Sequence, residues 1–547
     1  MKQYIEMLKK EFAGYNGAKL AKDIMAGLTV AAVALPLALA FGVSSGADGA
    51  AGLITAIMAG LMIGTLSGAS YQISGPTGAM SAILISLSQA YGLHGVFVAS
   101  LISGVMLLIA SIFKFGKLVS FIPTSVIAGF TSGIAILIFT QQIDNFFGVT
   151  CAGSTTIEKM LSYFDGRFTP NLVAAFIGIC VILIMVLYPK KWSNVVPSSL
   201  VSIVIMLFAN MIFKFDVAVV GSIPSTLLPE VRLNIIEVNW AQIGNFMMPA
   251  FSIAALGMIE SLLCGASAGK MKNEKMNADQ ELFAQGIGNI IIPFFGGVPA
   301  TAAIARTSVA IKAGGETRLT SVFHAVVLLL AMFILGPFMA KIPLAALAGV
   351  LMVTAWRMNE WNHIKAMFKN KVKTPILQFL ITMIATVVFD LTVAIVMGVL
   401  LAMFMFVLNN SNLSISVSHV DTDRIDVNYH HGATKVVYLT GPLFFGTQNQ
   451  LMTVIEKLVE EKCEAVILSM RGVPSIDDSG VAELEEINAL CKANNIVLMF
   501  SGVQENVTKF MKRAHFYEYV SEDCFFWDTI GAIHHIDKDF TYRLEQE

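Results

Sequence analysis

Long apolar segments separated by short polar loops occupy the chain from residue 23 to residue 410. An apolar segment of about twenty residues is long enough for a helix to cross a bilayer, so we predict an α-helical transmembrane domain. The segments at 76–91 and 300–311 are short and begin at proline, which predicts half-helices. The fourteen candidate spans lie near residues 24–44, 50–68, 76–91, 95–113, 119–140, 171–188, 198–214, 246–264, 281–295, 300–311, 321–340, 343–356, 375–390 and 392–409.

A different pattern begins after residue 410, where residues 411–547 have the composition of a soluble domain. Short apolar runs predict strands, and runs with helical spacing predict helices between them. The predicted strands are KVVYLTG (435–441), EAVILSM (464–470) and NIVLMFS (495–501), and the predicted helices are QNQLMTVIEKLVEEK (448–462) and SGVAELEEINALCKAN (479–494). This alternation predicts an α/β domain with a small sheet covered by helices.

Lysine and arginine residues are concentrated in alternate loops of the predicted transmembrane domain, beginning with the polar segment 1–22. Because cytoplasmic loops carry the excess of these residues, the skew places the N-terminus in the cytoplasm. An even number of spans places residues 411–547 there too. Segment 1–22 lacks the features of a cleavable signal peptide. We therefore expect a multi-pass protein of the inner (plasma) membrane with both termini in the cytoplasm.

Composition argues against several other classes of protein. Hydrophobic residues make up 56% of the chain and charged residues 14%, and the formal net charge is −2. The composition has no excess of positive charge and therefore gives no indication of nucleic-acid binding. The six cysteines and nine histidines lack metal-ligand spacing, and no Walker A sequence or glycine-rich nucleotide loop is present. We expect no metal, no cofactor, no enzymatic activity and no ATP-driven transport.

Two short motifs with a common pattern lie in the two halves of the transmembrane region. SGPTGAMSAI (74–83) begins the third candidate span and GVPATAAIAR (297–306) begins the tenth. They lie seven spans apart, and because seven is odd the two halves have opposite orientations, as in a 7+7 inverted repeat. Segments interrupted by glycine and proline at matching positions of two halves indicate the binding site of a transporter.

Two facing half-helices would offer an anion the unpaired N–H groups and positive dipole ends of their first turns. Thr77 and Thr301 add hydroxyl donors. Arg306, five residues past Thr301 and more than one turn into its predicted helix, adds a permanent positive charge. Alternatively, glycine and proline only permit tight packing and Arg306 snorkels or pairs with Glu260. An arginine without a role at this depth costs at least about 2.5 kcal/mol, which favours anion binding.

Glu260 is the second charged residue within the predicted membrane region, late in the eighth candidate span. An apolar helix disfavours the ionised carboxylate, so Glu260 can carry a proton at neutral pH and couple transport to protons. It can instead bind Na⁺ or balance Arg306 in a static pair. Asp23 and Asp390 flank apolar runs, and we expect both at span ends, in contact with water or loops, without a chemical role.

The order of these motifs resembles that of the SulP family of anion transporters, the bacterial relatives of solute carrier family 26. The similar stretches are DIMAGLTVAAVALPLALAFG in the first span, ISGPTGAM in the third, GMIESLL in the eighth, GGVPATAAIARTSVAIKAGGETRLTS in the tenth, and a C-terminal region like the STAS domain. The resemblance implies a core domain (spans 1–4 and 8–11) that moves past a gate domain (spans 5–7 and 12–14) as an elevator in a homodimer. It also implies functional residues: Phe41 lining the site, Thr77, Gly78, Thr301 and Ala302 presenting donors, Arg306 supplying positive charge and Glu260 coupling.

Two positions depart from the family pattern. Leu37 follows Pro36 where many members have glutamine, which mildly favours bicarbonate or a carboxylate over sulfate. Cys264 follows Glu260 by one turn where sodium-coupled bicarbonate members have a hydroxyl, and hard cations prefer oxygen ligands. We therefore expect a secondary active transporter that takes up bicarbonate, sulfate or a C4-dicarboxylate with protons. The alternatives are sodium-coupled bicarbonate transport and an anion sensor that signals through the STAS domain to a cytoplasmic protein partner.

The stretch SIDDSGVAEL (475–484) resembles the STAS loop whose serine is phosphorylated in soluble relatives, and Ser479 occupies that place. A phosphate there would meet a helix N-terminus. Asp477 and Asp478 already supply negative charge at this terminus. We therefore expect Ser479 to act mainly as a helix cap, with phosphorylation as the regulatory alternative.

Overall fold

The structure, a computed structural model, describes most of the chain in two units. The described residues are 2–117, 122–150, 156–163, 168–189, 196–223, 226–238, 243–389, 391–420, 433–447 and 449–544. Asp390 and the first residues of the candidate span at 119–140 lie outside them. The units are Met1–Leu400 and Leu401–Glu547, and the boundary between them falls inside a helix, so the domain boundary at 410 stays a prediction.

Helices make up nearly all the regular structure of the first unit. They are α1 (Lys2–Glu11), α2 (Gly17–Ser44), α3 (Gly49–Leu66), α4 (Gly78–Ile112), α5 (Thr124–Phe147), α6 (Thr156–Ser162), α7 (Leu172–Leu187), α8 (Ser198–Phe213), α9 (Gly244–Lys272), α10 (Ala278–Ile291), α11 (Ile304–Lys312), α12 (Leu319–Met339), α13 (Leu344–Met358), α14 (Trp361–Lys369), α15 (Lys373–Val388) and α16 (Leu391–Asn410). Within the described residues, six of them (α2, α3, α4, α5, α9 and α12) are long and apolar enough to cross a membrane, and shorter apolar helices accompany them. The count of fourteen spans stays a prediction.

Helix α4 contains both the third and the fourth candidate spans. The two parts meet at Gly92, whose φ of 67° interrupts the helical conformation. Glycine adopts this left-handed region without the steric penalty of a side chain. The first part of α4, which begins at Gly78 within the motif at 74–83, is therefore a short helix, as the sequence predicted.

The helices of the first unit form two bundles. In one bundle α4 packs against α9 and α10, and α2 packs against α3 and α12. In the other, α5 packs against α13 and α15, and α13 packs against α7. This grouping is the one that the family resemblance implied for the core and gate domains.

Asp23, near the start of α2, lies in a polar network beneath the loop between α11 and α12. Its carboxylate accepts hydrogen bonds from the backbone N–H groups of Glu316 (2.7 Å) and Thr317 (3.0 Å). The hydroxyls of Thr317 (2.6 Å) and Thr320 (2.9 Å) donate to the same carboxylate. Asp23 contacts a loop, as expected, and its side chain is fully buried. The network fixes the loop that follows α11.

The second unit contains a five-stranded sheet with helices on both faces. The strands, in the order β3-β4-β5-β6-β7 across the sheet, are β3 (Ser414–His419), β4 (Thr434–Thr440), β5 (Ala465–Gly472), β6 (Val497–Ser501) and β7 (Phe525–Phe526). Strand β3 is antiparallel to β4, and the other neighbours are parallel. The helices are α17 (Gln450–Glu460), α18 (Asp478–Ala493), α19 (Glu505–Arg513) and α20 (Thr529–Leu544). The three strands and two helices predicted from the sequence are confirmed, whereas β3, β7, α19 and α20 were not predicted.

Candidate site at the crossing of two broken segments

The two sequence motifs meet as a pair of very short strands. β1 (Ser74–Gly75) and β2 (Thr301–Ala302) pair antiparallel, with Ser74 opposite Ala302 and Gly75 opposite Thr301. Helix α4 begins three residues after β1, and α11 begins two residues after β2. The structure therefore brings together the two half-helix starts that the sequence singled out.

The helix starts differ in detail from the prediction. Pro76 and Pro299 precede α4 and α11 and do not occupy their first turns. Thr301 and Ala302 lie in β2, so they do not begin the half-helix. Because α11 starts only at Ile304, Arg306 lies in its first turn, and its predicted position more than one turn inside is wrong. The physical reason is that extended pairing with β1 uses the residues expected to form the first helical turn.

Glu260, on α9, joins the two motifs. Its Oε2 accepts a hydrogen bond from the Thr77 hydroxyl at 2.9 Å and another from the Thr301 hydroxyl at 2.7 Å. The two hydroxyl oxygens lie 3.5 Å apart. Thr77 is also the N-cap of α4, where its hydroxyl oxygen accepts from the Met80 N–H at 3.4 Å. One carboxyl oxygen thus holds both broken segments.

Arg306 is 1% exposed and its guanidinium is only partly satisfied. Nη2 donates to the carbonyl oxygen of Pro76, whereas Nε and Nη1 have no hydrogen-bond partner among the described residues. Within those residues no ion pair joins Arg306 to Glu260, so the structure does not contain the static pair considered above. Nη1 lies so close to the Gly75 backbone that a β-carbon there would collide with it. Buried charges are normally paired, whereas this guanidinium retains two nitrogens without a partner among the described residues.

Phe41 and Gly78, which the resemblance assigned to the site, lie against one another. A β-carbon on Gly78 would lie 3.0 Å from Cε1 of the Phe41 ring, so glycine allows the ring to approach the first residue of α4. The Phe41 carbonyl accepts hydrogen bonds from the hydroxyls of Ser45 (2.6 Å) and Ser81 (3.2 Å). These bonds fix the end of α2 beside the start of α4.

Polar side chains that sequence reasoning missed hold the backbone leading into β2. Asn289, on α10, donates from Nδ2 to the Ala300 carbonyl at 2.9 Å and accepts the Ala300 N–H at Oδ1 at 2.7 Å. The Thr55 hydroxyl accepts from the Val298 N–H at 2.8 Å and donates to the Val298 carbonyl at 3.0 Å. The available signal was an asparagine inside the candidate span at 281–295, but its partner, Ala300, lies outside that span.

The backbone N–H of Ala302, one of the predicted donors, already forms a hydrogen bond within the protein. The Ala302 N–H donates to the Ser261 hydroxyl oxygen at 3.2 Å. Ala302 is itself fully buried. In this arrangement Ala302 supports the crossing, and the free N–H groups expected of a helix start belong to the first turn of α11.

Glu281 is a further buried carboxyl group of the first bundle that sequence reasoning missed. It is fully buried and accepts hydrogen bonds from the Ser67 hydroxyl (2.5 Å), the Gly68 N–H (2.9 Å) and Gln285 Nε2 (2.9 Å). Gln285 also donates to the Ser74 hydroxyl of β1 at 3.0 Å. Its position at the edge of the ninth candidate span was the only signal. The network anchors β1 from α10, whereas Glu260 approaches the crossing from α9.

Family models match both parts of the chain. The model of the sulfate permease family matches residues 20–385, about two thirds of the chain, and the model of the STAS domain matches residues 424–532. The chain belongs to the sulfate permease family. The SulP resemblance and the STAS resemblance are both confirmed.

Relatives within the sulfate permease family are similar over nearly their whole length. The chain is 34% identical to the putative sulfate transporter YvdB of Bacillus subtilis, over 94% of this chain and 97% of the relative. It is 29% identical to the bicarbonate transporter BicA of Picosynechococcus, over 88% and 89% respectively. The structure of SLC26A9 matches with a TM-score of 0.82 at 16% identity, covering 96% of this chain and 91% of that chain, which shows a shared fold.

In the STAS domain of this permease-family chain, Ser479 is the second residue of α18. Asp477 is the N-cap, and its Oδ1 accepts the Gly480 N–H at 3.0 Å. The expectation that Ser479 caps the helix is therefore wrong, because the aspartate two residues earlier provides the acceptor. Phosphorylation of Ser479 stays a prediction.

Proposed function

We propose that the protein is a secondary active transporter that takes up bicarbonate, sulfate or a C4-dicarboxylate together with protons. The observation that carries this proposal is the buried Arg306 guanidinium at the crossing of β1 and β2, with two nitrogens that have no partner among the described residues. The names of YvdB and BicA, a putative sulfate transporter and a bicarbonate transporter, support an anionic substrate. We also propose a plasma-membrane homodimer with both termini in the cytoplasm, in which the core bundle moves as an elevator.

The anion binds beside Arg306 and the first turn of α11. Among the described residues no side chain caps that helix, so its first N–H groups and the positive end of its dipole are available to stabilise a negative charge. Arg306 adds two unpartnered nitrogens, Nε and Nη1, at the same helix start. Thr77 and Thr301 take part indirectly, because their hydroxyl groups already donate to Glu260.

Glu260 links proton binding to anion binding. A bound anion neutralises the field of Arg306, and loss of that positive field favours the protonated form of a nearby carboxyl group. Thermodynamic linkage then makes each ligand raise the affinity for the other. With a monovalent anion such as bicarbonate, the loaded crossing contains the Arg306 cation, one negative charge and a neutral Glu260, and such a balanced set crosses the bilayer at lower cost than an unbalanced charge.

Sodium coupling is a second candidate because the oxygens of Glu260, Thr77 and Thr301 lie within 3.5 Å of one another. Oxygen ligands suit hard cations. Cys264, one turn after Glu260, argues against it: its thiol is fully buried and lies 3.4 Å from the Thr307 hydroxyl. A thiol supplies no hard ligand, so we favour the proton.

The test is uptake of labelled bicarbonate, sulfate and fumarate by proteoliposomes with an inward proton gradient, with and without Na⁺. One proton carried with one monovalent anion supports about tenfold accumulation for each pH unit, or roughly 1.4 kcal/mol. We expect Glu260→Gln to abolish accumulation but to retain anion exchange, because the amide oxygen still accepts the hydroxyls of Thr77 and Thr301. Glu360→Gln, which removes an exposed carboxylate next to α14, is the matched control and should accumulate like wild type.

Accumulation by Glu260→Gln at the wild-type level would refute the coupling role. Uptake that requires Na⁺ and ignores a protonophore would replace the proton by sodium. Failure to take up any of the three anions, with the folded protein still binding one of them, would refute transport and favour the anion sensor.

A further inference from the structure

A hydroxyl-lined cavity of about 450 Å³ opens on the second unit, where strands β4, β5 and β6 end. The carboxyl ends of parallel strands are a common place for ligands, because loops and helix N-termini meet there. The residues that matter for its chemistry are Thr440, Ser469, Arg471, Ser501, Asp528 and Thr529. Ser479 does not line this cavity. The assignment of the chain to its family does not depend on the cavity.

The strand register explains why hydroxyl groups converge here. Side chains alternate between the two faces of a strand. On the face covered by α20, the side chains in the first part of each strand are apolar, whereas those near the carboxyl ends of the strands carry hydroxyl groups. The apolar members are Val436, Ala465, Ile467 and Met499, packed against α20, and the hydroxyl members are Thr440, Ser469 and Ser501. Helix α20 begins at Thr529, whose hydroxyl lies 3.2 Å from that of Ser501, so its first turn is next to the cavity.

Ser469 is the observation that points to a ligand. Its residue is only 8% exposed, yet its hydroxyl forms no hydrogen bond with the part of the chain that the structure describes. Ser469 is part of the cavity lining, so its hydroxyl is accessible to a bound molecule and is not engaged by a protein group among the described residues. Ser469 therefore adds an independent sign of binding to the helix start and the cavity.

The charges around the cavity define the ligand's chemistry. Arg471 is exposed and its guanidinium pairs with no carboxylate among the described residues, so it offers donors to an anion. Asp528 is the acidic residue of the lining, and its Oδ1 accepts the Gly531 N–H of α20 at 2.8 Å. A carboxylate repels a fully deprotonated oxyanion such as sulfate. An oxyanion that carries a proton can donate to Asp528 while its other oxygens accept from Arg471 and Ser469.

We propose that this cavity binds a protonated oxyanion, of the class that includes hydrogenphosphate and bicarbonate, between Arg471, Ser469 and Asp528. The inference concerns the second unit alone and is independent of the proposed transport function. The ligand's hydroxyl donates to the carboxylate of Asp528, and its unprotonated oxygens accept from the guanidinium and the serine hydroxyl. Sulfate has the same charged oxygens but no proton at neutral pH, so it distinguishes this chemistry from general anion attraction.

Trp527 makes the test possible on the full-length protein, because it directly precedes Asp528 and its side chain is exposed. Purified protein in nanodiscs is titrated with sodium phosphate, sodium bicarbonate and sodium sulfate at constant ionic strength, and tryptophan fluorescence is recorded. We expect a saturable change with phosphate or bicarbonate and none with sulfate. The fluorescence change should disappear in Trp527→Phe, which would show that it comes from this tryptophan. Whether phosphate or bicarbonate gives the saturable change identifies the oxyanion.

Variants of the lining provide the second part of the test. Arg471→Gln and Ser469→Ala should each weaken binding at least tenfold. Arg513→Gln removes an equal charge from an exposed position at the end of α19 and should bind like wild type. Because Arg471 is exposed, its replacement leaves the fold intact. Equal binding of sulfate, unchanged affinity in Arg471→Gln and Ser469→Ala, or the absence of any saturable signal from Trp527 would each overturn the proposal.

Discussion

Replacement of Asn289 by alanine removes the side chain that holds the peptide groups on both sides of the Ala300 α-carbon. Both bonds, at 2.9 Å and 2.7 Å, involve backbone groups of a residue that is fully buried. A buried polar group left without a partner costs about 1–3 kcal/mol, so the two groups together predict a loss of roughly 2–6 kcal/mol. Ala300 directly precedes Thr301, and the same change should displace the Thr301 hydroxyl from Glu260.

Asn210→Ala is the matched control, because Asn210 is also buried in a helix, α8, but makes one such bond, to the Lys341 carbonyl at 2.9 Å. Its expected cost is about half as large, and it lies in the other bundle, away from the crossing. The assay combines thermal unfolding of purified protein with anion uptake by proteoliposomes. We expect a larger fall in midpoint for Asn289→Ala than for Asn210→Ala, and at least tenfold slower uptake only for Asn289→Ala.

Equal midpoints and equal uptake rates for these two variants would refute the reasoning. That result would mean that the Ala300 peptide groups find other partners, or that the position of Thr301 does not depend on Asn289. A loss of stability without a loss of uptake would refute the positioning argument alone.

Two further predictions concern carboxylates away from the crossing. Asp23→Asn gives up part of an acceptor set that now serves two backbone N–H groups and the hydroxyls of Tyr15, Thr317 and Thr320. We expect about 2–4 kcal/mol lower stability and faster proteolysis of the α11–α12 loop. Asp48 is the N-cap of α3, where its side chain accepts the Ala51 N–H, and Asp48→Asn should be neutral because asparagine also caps a helix. Protection of that loop in Asp23→Asn would contradict this. In α18, burial raises the pKa of Glu483, so the folded domain binds the proton more tightly than the unfolded chain, and stability falls as pH rises through the folded pKa. The Glu483→Gln variant cannot ionise, so the thermal midpoint of wild type should fall relative to that of the variant as pH rises above the ordinary glutamate pKa of about 4.3. A difference between the two midpoints that is independent of pH would refute the assignment.

The helical spans and the central α/β elements were predictable because their signals are local. An apolar length near that of a bilayer, or a change from helical to alternating spacing, is contained within one segment. The same holds for the two motifs, since glycine and proline punctuate a chain wherever they occur. The strands β3 and β7 escaped prediction because they lie at the edges of the sheet, where a partly exposed strand needs no regular apolar pattern.

The details of the site were not predictable because each depends on a partner far away in the chain. Residues 301 and 302 form a strand because Ser74 and Gly75 lie opposite them, and this pairing delays the start of α11 until Ile304. The same applies to Asn289, which looks like an isolated polar residue until the Ala300 peptide is placed against it.

Composition, apolar segment lengths and the order of the motifs were sufficient to identify a helical membrane protein of the sulfate permease family with a C-terminal STAS domain, and to single out Glu260 and Arg306 as unusual charges. The surroundings of those charges became apparent only from the fold. Glu260 accepts from a threonine of each broken segment, and Arg306 donates to a backbone carbonyl while two of its nitrogens have no partner among the described residues. The physical reason is that charge and hydrophobicity belong to single residues, whereas hydrogen-bond satisfaction belongs to pairs of groups that only folding brings together.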